Sequence, residues 1–379
     1  MKSYHHLWEA FLSDDNIVAA IGNSSKGKRD RKKVEKIWRH PEDYIEYYYD
    51  YATDFHNFKH SPIEIYDGIS RKKRQIIVPE YDEQVIHHMA TNVLIPIFSK
   101  GMYEHVYGSL PKRGAHKAKK TIEKWIRKDP KNCKYCLKMD IKKYFNSIPH
   151  DILEEKLAKI IHDKKFLKLM HEIINVQEDG IPLGFYTSQW LANWYLEGLD
   201  HYIKEELGAV HYVRYMDDMV IFGPNKKKLH KIREKIDEYL RKKLGLKMKE
   251  NWQVFRFDYM KKGERHGRHL DFMGFKFYRD KTTIRKSIMF KATRKAKKIS
   301  KKEFMTIYDA RSMLAYLGWI DCTDSYEMYK KWIKPYINFG ECKYKLSKHD
   351  KWQHAYKKEV EDIDSKLYSL TIYSHAKAA

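Results

Sequence analysis

Leu229, Ile232, Ile236, Leu240 and Leu244 recur three and four residues apart after Pro224, the spacing that gathers apolar side chains on one helical face. Gly245 follows as the stop of that helix. The same spacing marks "DILEEKLAKIIHDKKFLKLMHEII" as helical and "TSQWLANWYLEGLDHYIKEEL" as a second helix. Residues 1–60 read as polar and helical, with an aromatic cluster in "YIEYYYDYATDF". Those tyrosines are able to stack on bases, but packing against a neighbouring helix is the simpler expectation. Other stretches have strand character: "QIIVP", "CKYCLKMDI" as a buried strand, "HYVRY" and "MVIF" on either side of two aspartates, and "RHLDFMGFKFYRD" with alternating aromatics. From about residue 283 the chain is helical and basic, with Lys291, Arg294, Lys295, Lys297, Lys298, Lys301 and Lys302 falling within 12 residues. Strands and helices in this mixed order predict an α+β fold, one antiparallel sheet followed by a helical C-terminal module. There is no internal repeat and no long Gly/Ser or Pro linker.

The pattern poses a problem at "HYVRYMDDMVIFG". Two strand-forming runs flank Asp217 and Asp218, so two like charges sit where the chain should reverse. Neighbouring carboxylates repel, more so as water is removed, and something positive should offset them. The adjacent pair Asp14-Asp15 reads as the start of a surface helix after Ser13. The buried strand "CKYCLKMDI" supplies a third carboxylate, Asp140, 77 residues before Asp217. A lone aspartate at a strand end is usually a turn cap. Three carboxylates from two adjacent strands can instead hold two Mg²⁺ ions, one activating an attacking hydroxyl and one clamping a triphosphate.

Composition narrows the partners. Lysine and arginine number 75 against 51 acidic residues, a net charge of +24, which points to a polyanion and most simply to nucleic acid. The plain alternative is a lysine-rich surface from a biased genome. Hydrophobic content of 42% and aromatic content of 14% exclude a disordered chain. The N-terminus has no apolar stretch of signal-peptide length, and no run approaches the roughly 18 apolar residues of a membrane span. Cys133 and Cys136 form a CxxC that Cys322 and Cys342 do not complete into a zinc pattern. A soluble, cytoplasmic protein with no membrane partner is the expectation.

"YMDD" between apolar runs, "DIKKYFNSI" upstream and "GIPLGFYTSQWLANWYLEGLD" between them resemble the motifs of a reverse transcriptase. The similarity runs from about residue 65 to 278. It implies the right-hand polymerase fold, with an N-terminal helical extension at 1–64, fingers and an antiparallel-sheet palm at 65–282 and a basic helical thumb at 283–379. It implies Asp140 and Asp217 as the main Mg²⁺ ligands, Asp218 as the supporting carboxylate and the Ile141 carbonyl as a further ligand. Phe145 matches the bulky residue that blocks a 2′-hydroxyl. Lys72, Arg74 and Arg113 match basic positions that meet the incoming dNTP, and "FMGF" at 272–275 resembles the primer grip.

Two departures bear on which relative this is. Most reverse transcriptases carry Gln-Gly, three residues, then Ser-Pro in the middle motif; this chain has Leu183-Gly184, three residues, then Ser188-Gln189. That variant resembles the enzymes of diversity-generating retroelements of bacteria and their phages, which copy a template RNA with errors at adenines and work with a small basic accessory protein. The resemblance therefore implies template RNA, an RNA–DNA duplex, dNTPs and such a protein as partners, with Leu183, Gly184 and Gln189 lying beneath the nascent pair. The second departure is Trp252, which aligns where many relatives have a lysine thought to protonate pyrophosphate; Lys249 is the candidate substitute. A defence-associated reverse transcriptase is the rival enzyme, and an RNA-binding module with a decayed site is the rival outside enzymology. The intact Asp140, Asp217 and Asp218 argue against decay.

Overall fold

A computed structural model describes residues 3–56, 60–66 and 73–352. Four helices open the chain: α1 (Leu7–Phe11), α2 (Asp14–Ser25), α3 (Lys32–Arg39) and α4 (Ile45–Thr53). A small antiparallel pair follows, β1 (Ile63–Tyr66) with β2 (Lys73–Ile76), then α5 (Tyr81–Ser99) and α6 (Ala115–Lys128). The central part runs β3 (Tyr135–Asp140), α7 (His150–Ala158), α8 (Lys164–Ile174), α9 (Tyr186–Tyr195), α10 (Glu197–His201), β4 (His211–Tyr215), β5 (Asp218–Gly223), α11 (Lys226–Leu244) and β6 (Gln253–Arg256). Short strands β7 (Tyr259–Lys261), β8 (Glu264–His266), β9 (Leu270–Phe272), β10 (Phe275–Phe277) and β11 (Thr282–Ile284) lead to α12 (Lys286–Ile299), α13 (Ile307–Asp321), α14 (Tyr326–Trp332) and α15 (Phe339–Trp352).

The main sheet has the order β4-β5-β3-β6, antiparallel throughout. Alternation along β3 sends Leu137 and Met139 into the larger core, where they meet Leu229, Ile232, Ile236 and Leu240 of α11. Each such buried side chain contributes about 1.5–3 kcal/mol. Cys136 points to the opposite face, into a second cluster with Val220, Phe222, Leu270 and Ile122. The cover over that face stops short of the far end of β3, where Lys138 and Asp140 are only partly buried. The sheet is therefore clamped at one end and open at the other.

The N-terminal helices share the larger core with α5, α7–α11 and one face of the main sheet. Buried Asn16 bonds the Phe11 and Met89 carbonyls at 2.9 and 3.1 Å, tying α2 to α5. In α4, Tyr48 is buried and donates to Asp82 at 2.9 Å, so the tyrosine cluster does pack, although Tyr47 and Tyr49 remain exposed. Helices α12–α15 have a separate core around Met289, Ala292, Met313 and Ile333.

Three expected elements divide. The helix expected across residues 187–207 is interrupted at Leu196 into α9 and α10 and ends in a π-helical turn, Tyr202–Glu206. The helix expected across residues 151–174 breaks at 159–163, where Asp163 caps α8 by accepting from Lys165 and Phe166 N–H groups, both at 3.1 Å. The aromatic strand of 268–280 is a hairpin, because Met273 and Gly274 both take left-handed backbone, φ 51° and 85°, the requirement of a tight two-residue turn.

Candidate active site

Strand register builds the site at the open end of the sheet. Asp140, the last residue of β3, lies directly opposite Asp218, the first of β5. Tyr215 pairs with Asp218 across the β4–β5 hairpin, which leaves Met216 and Asp217 as the turn. The reversal falls one residue earlier than the sequence pattern suggests, and Met216 makes it possible with φ 55°. Gly108 lies against this turn; a Cβ there would stand 2.6 Å from the Met216 nitrogen, so only glycine lets the preceding loop approach so closely.

Arg214 holds the turn from below, a role the sequence reading missed. Both it and Asp200 are fully buried, and its Nε and Nη2 donate to the Asp200 carboxylate at 2.8 and 2.6 Å. Its Nη1 donates to the Met216 carbonyl at 3.1 Å and to Asn193 Oδ1 at 3.2 Å, while Nη2 also reaches the Asn193 carbonyl at 3.0 Å. Tyr212 completes the group by donating to Asp200 at 2.7 Å. The legible signal was an arginine inside an apolar strand, since a charge buried there must be paired.

The three carboxylates act on one another. Burial, the Asp140 charge and the neighbouring Asp218 push the Asp217 carboxyl up to about 7. Burial and then the Asp140 charge also raise Asp218, opposed by Lys138, Lys249 and Arg285. Lys249 pairs with one oxygen of Asp140, and its N–H donates to the Asp140 carbonyl at 2.8 Å. The other oxygen, Oδ1, is buried without a hydrogen-bond partner. Trp252 packs instead under Arg233, 4.4 Å from its ring, so Lys249 is the residue that reaches the carboxylates. Among the described residues no three His, Cys, Asp or Glu side chains converge as a finished metal cage. The donors nevertheless suit Mg²⁺, which takes a few carboxylates and completes its shell from substrate phosphates and water. The orphaned Oδ1 and the mutual repulsion are what a cation would relieve.

Around these carboxylates, Ile141 is fully buried and bridges to Met248. Phe145 sits partly buried on a 3₁₀ turn, Tyr144–Ser147, and its carbonyl accepts from Ile181 N–H at 2.8 Å. The Leu183 carbonyl accepts from Ile77 N–H at 2.9 Å, so the middle motif is stitched to the chain just beyond β2. Gly184 has φ 126°, and a Cβ there would meet the Ile77 oxygen at 2.1 Å. Leu183 and Gln189 are partly buried. Arg74 lies on β2 opposite Ile65, and Lys72 is outside the described residues. Arg113 has an anchoring role not foreseen: Nη1 donates to the carbonyls of Tyr103, Glu104 and Val106 at 2.8, 3.1 and 2.8 Å. A cavity of about 270 Å³ opens beside Asp140 and Asp218, walled by Lys138, Gln253, Phe255 and Arg285.

An antiparallel sheet that gathers three aspartates at its one open end, with helices on its back, is the palm of a right-hand polymerase. The family described as reverse transcriptase (RNA-dependent DNA polymerase) matches residues 59–277, more than half of the chain, and the chain belongs to it. It is 26% identical over 168 residues to the retron Ec73 reverse transcriptase of Escherichia coli, covering 40% of this chain and 52% of that protein. It is 30% identical over 148 residues to the uncharacterised 91 kDa protein in the cob intron of Schizosaccharomyces pombe, covering 36% of this chain and 18% of that one. Among solved structures, Candida albicans telomerase in complex with a fragment of telomeric RNA aligns with a TM-score of 0.46 at 11% identity, over 92% of this chain and 64% of that chain.

Proposed function

We propose that this protein is an RNA-directed DNA polymerase that makes cDNA on an RNA template. The observation that carries the reading is the register of Asp140 opposite Asp218, with Asp217 held in the adjoining turn. In the reaction, the primer 3′-oxygen attacks the α-phosphorus of a dNTP and loses its proton. The α–β anhydride bond breaks, and pyrophosphate departs with the electron pair. Bound by Asp140, Asp217, Asp218 and the Ile141 carbonyl, two Mg²⁺ ions would supply hydroxyl activation and charge neutralisation. The chain's own residues position the reactants. Arg214 fixes the turn that presents Asp217. Phe145 offers a wall against a 2′-hydroxyl, and Lys72 and Arg74 receive the triphosphate, while Arg113 braces the loop before α6. Primer extension on a defined RNA tests this: wild type should extend, and Asp217→Asn should bind RNA without extending. Full extension by Asp217→Asn would refute it.

The finer reading is cDNA synthesis for gene diversification, in the cytoplasm and with a small basic accessory protein. Its support is Leu183 in place of the family's usual glutamine. Glutamine offers both a donor and acceptors beneath the nascent pair, whereas leucine can only pack. One neutral hydrogen bond contributes about 0.5–1.5 kcal/mol net, enough to change a pairing preference by up to about tenfold. Wild type should misincorporate mainly opposite template adenine, and Leu183→Gln should lower that error. Equal error spectra from sequenced cDNA would remove Leu183 from the account.

A further inference from the structure

The pairing of β3 continues past Asp140. Ile141 bridges antiparallel to Met248, Lys249 N–H donates to the Asp140 carbonyl, and Lys142 N–H donates to the Lys247 carbonyl, both at 2.8 Å. Alternation therefore puts Asp140, Lys142, Lys247 and Lys249 on one face, in steps of about 7 Å along each strand. The ion pair of Lys249 with Asp140 fixes this as the face of the active carboxylates. Where the chain turns away, Lys142, Lys143, Ser147, Gly245 and Lys247 line a cavity of about 260 Å³.

The charged side chains lining this cavity are all of one sign. Lys142, Lys143 and Lys247 are all exposed, and among the described residues no carboxylate pairs with any of them. Lys143 also holds a left-handed backbone, φ 47° and ψ 45°, which a residue with a Cβ adopts reluctantly. Strain of this kind persists where the surroundings require it, and it gathers at functional sites. Three like charges around one small cavity and a strained lysine between them both argue for a compact polyanion. An ammonium serves phosphate well as a point charge.

We propose that this lysine-lined cavity is a pyrophosphate site, which receives the leaving group as it moves from Asp140 past Lys249. The inference rests on the polymerase reading, because that reaction generates pyrophosphate at Asp140. A nucleic-acid backbone fits less well: it needs an extended track of cations, and these three lysines line one small cavity.

The test uses the full chain and the variant Lys143→Gly/Lys247→Gln, in which glycine also relieves the left-handed backbone. Inorganic pyrophosphate is titrated calorimetrically into each protein without template, and separately added to primer-extension reactions. The variant, which loses two ammonium groups, should bind pyrophosphate at least about tenfold more weakly, the least expected for one lost charged hydrogen bond, and should need correspondingly more pyrophosphate for half-inhibition. Its affinity for an RNA–DNA duplex should stay at the wild-type value. Unchanged pyrophosphate binding overturns the proposal, and so does an equal loss of duplex affinity, which would make this a backbone contact. A wild type that binds pyrophosphate but extends no primer would sink the polymerase reading while leaving the anion site standing.

Discussion

Replacing Asp200 by Asn tests whether the buried arginine network, and not the hairpin alone, presents Asp217. Asp200 receives three hydrogen bonds, from Tyr212 and from two nitrogens of Arg214, and neither Asp200 nor Arg214 is exposed. The amide keeps the shape but leaves the guanidinium buried without a counter-charge. Breaking such a pair on one side costs about 3–5 kcal/mol, a large share of the roughly 5–15 kcal/mol that holds a typical domain. Urea denaturation followed by circular dichroism should show that loss. The double variant Asp200→Leu/Arg214→Met should recover only part of it, because it removes the stranded charge but leaves the buried Tyr212 hydroxyl without its acceptor. Primer extension should nevertheless stay low in the double variant, since the Met216 and Asn193 carbonyls have lost their donor. A stability change below about 1 kcal/mol in Asp200→Asn, less than a typical single hydrogen bond, would refute the energetic argument. Wild-type extension by the double variant would refute the positioning role.

Three further outcomes follow from the site. The Asp217 carboxyl is raised to about 7 in the fold and stands near 3.9 when unfolded, so its protonated form stabilises the metal-free protein fully below about pH 4 and that contribution is lost as pH rises to about 7. Wild type should lose up to about 4 kcal/mol more than Asp217→Asn across that window, and Mg²⁺ should flatten the difference; parallel stability–pH curves for the two proteins would contradict the shift. Phe145→Ala should raise incorporation of rNTPs relative to dNTPs, and an unchanged ratio in competition assays would return Phe145 to a packing role. Gly184→Ala should cost about 2–4 kcal/mol, from a backbone unsuited to a side chain and from the clash with the Ile77 oxygen; a melting temperature equal to wild type would show that this contact yields easily.

The carboxylate site was legible because each aspartate ends or interrupts an apolar run, and an apolar run fixes strand identity. Given the strands, antiparallel pairing brings Asp140 to Asp218 with little freedom left. The face of α11 was legible for the same reason, and all five of its expected positions are buried. What periodicity cannot express is a partner far away in the chain. The break before α8 is one case: Asp163 caps α8 and also accepts from the Trp8 N–H at 2.8 Å, 155 residues away. Local spacing made that stretch one helix, and a contact with the N-terminal segment helps make it two.

Lys249 shows the same limit at the site itself. Alignment with relatives puts the expected lysine position at Trp252, but the paired strands beside the site do not advance in step. Lys138 pairs with Gln253 and Ile141 with Met248, so three steps along β3 correspond to five along the partner strand. The two surplus residues loop outward, as in a bulge that re-aims a side chain beside a site. That loop delivers Lys249 to Asp140 and leaves Trp252 beneath Arg233, against the back of the palm. A single irregularity in pairing thus decides which residue meets the carboxylates, and it also brings Lys247 opposite Lys142.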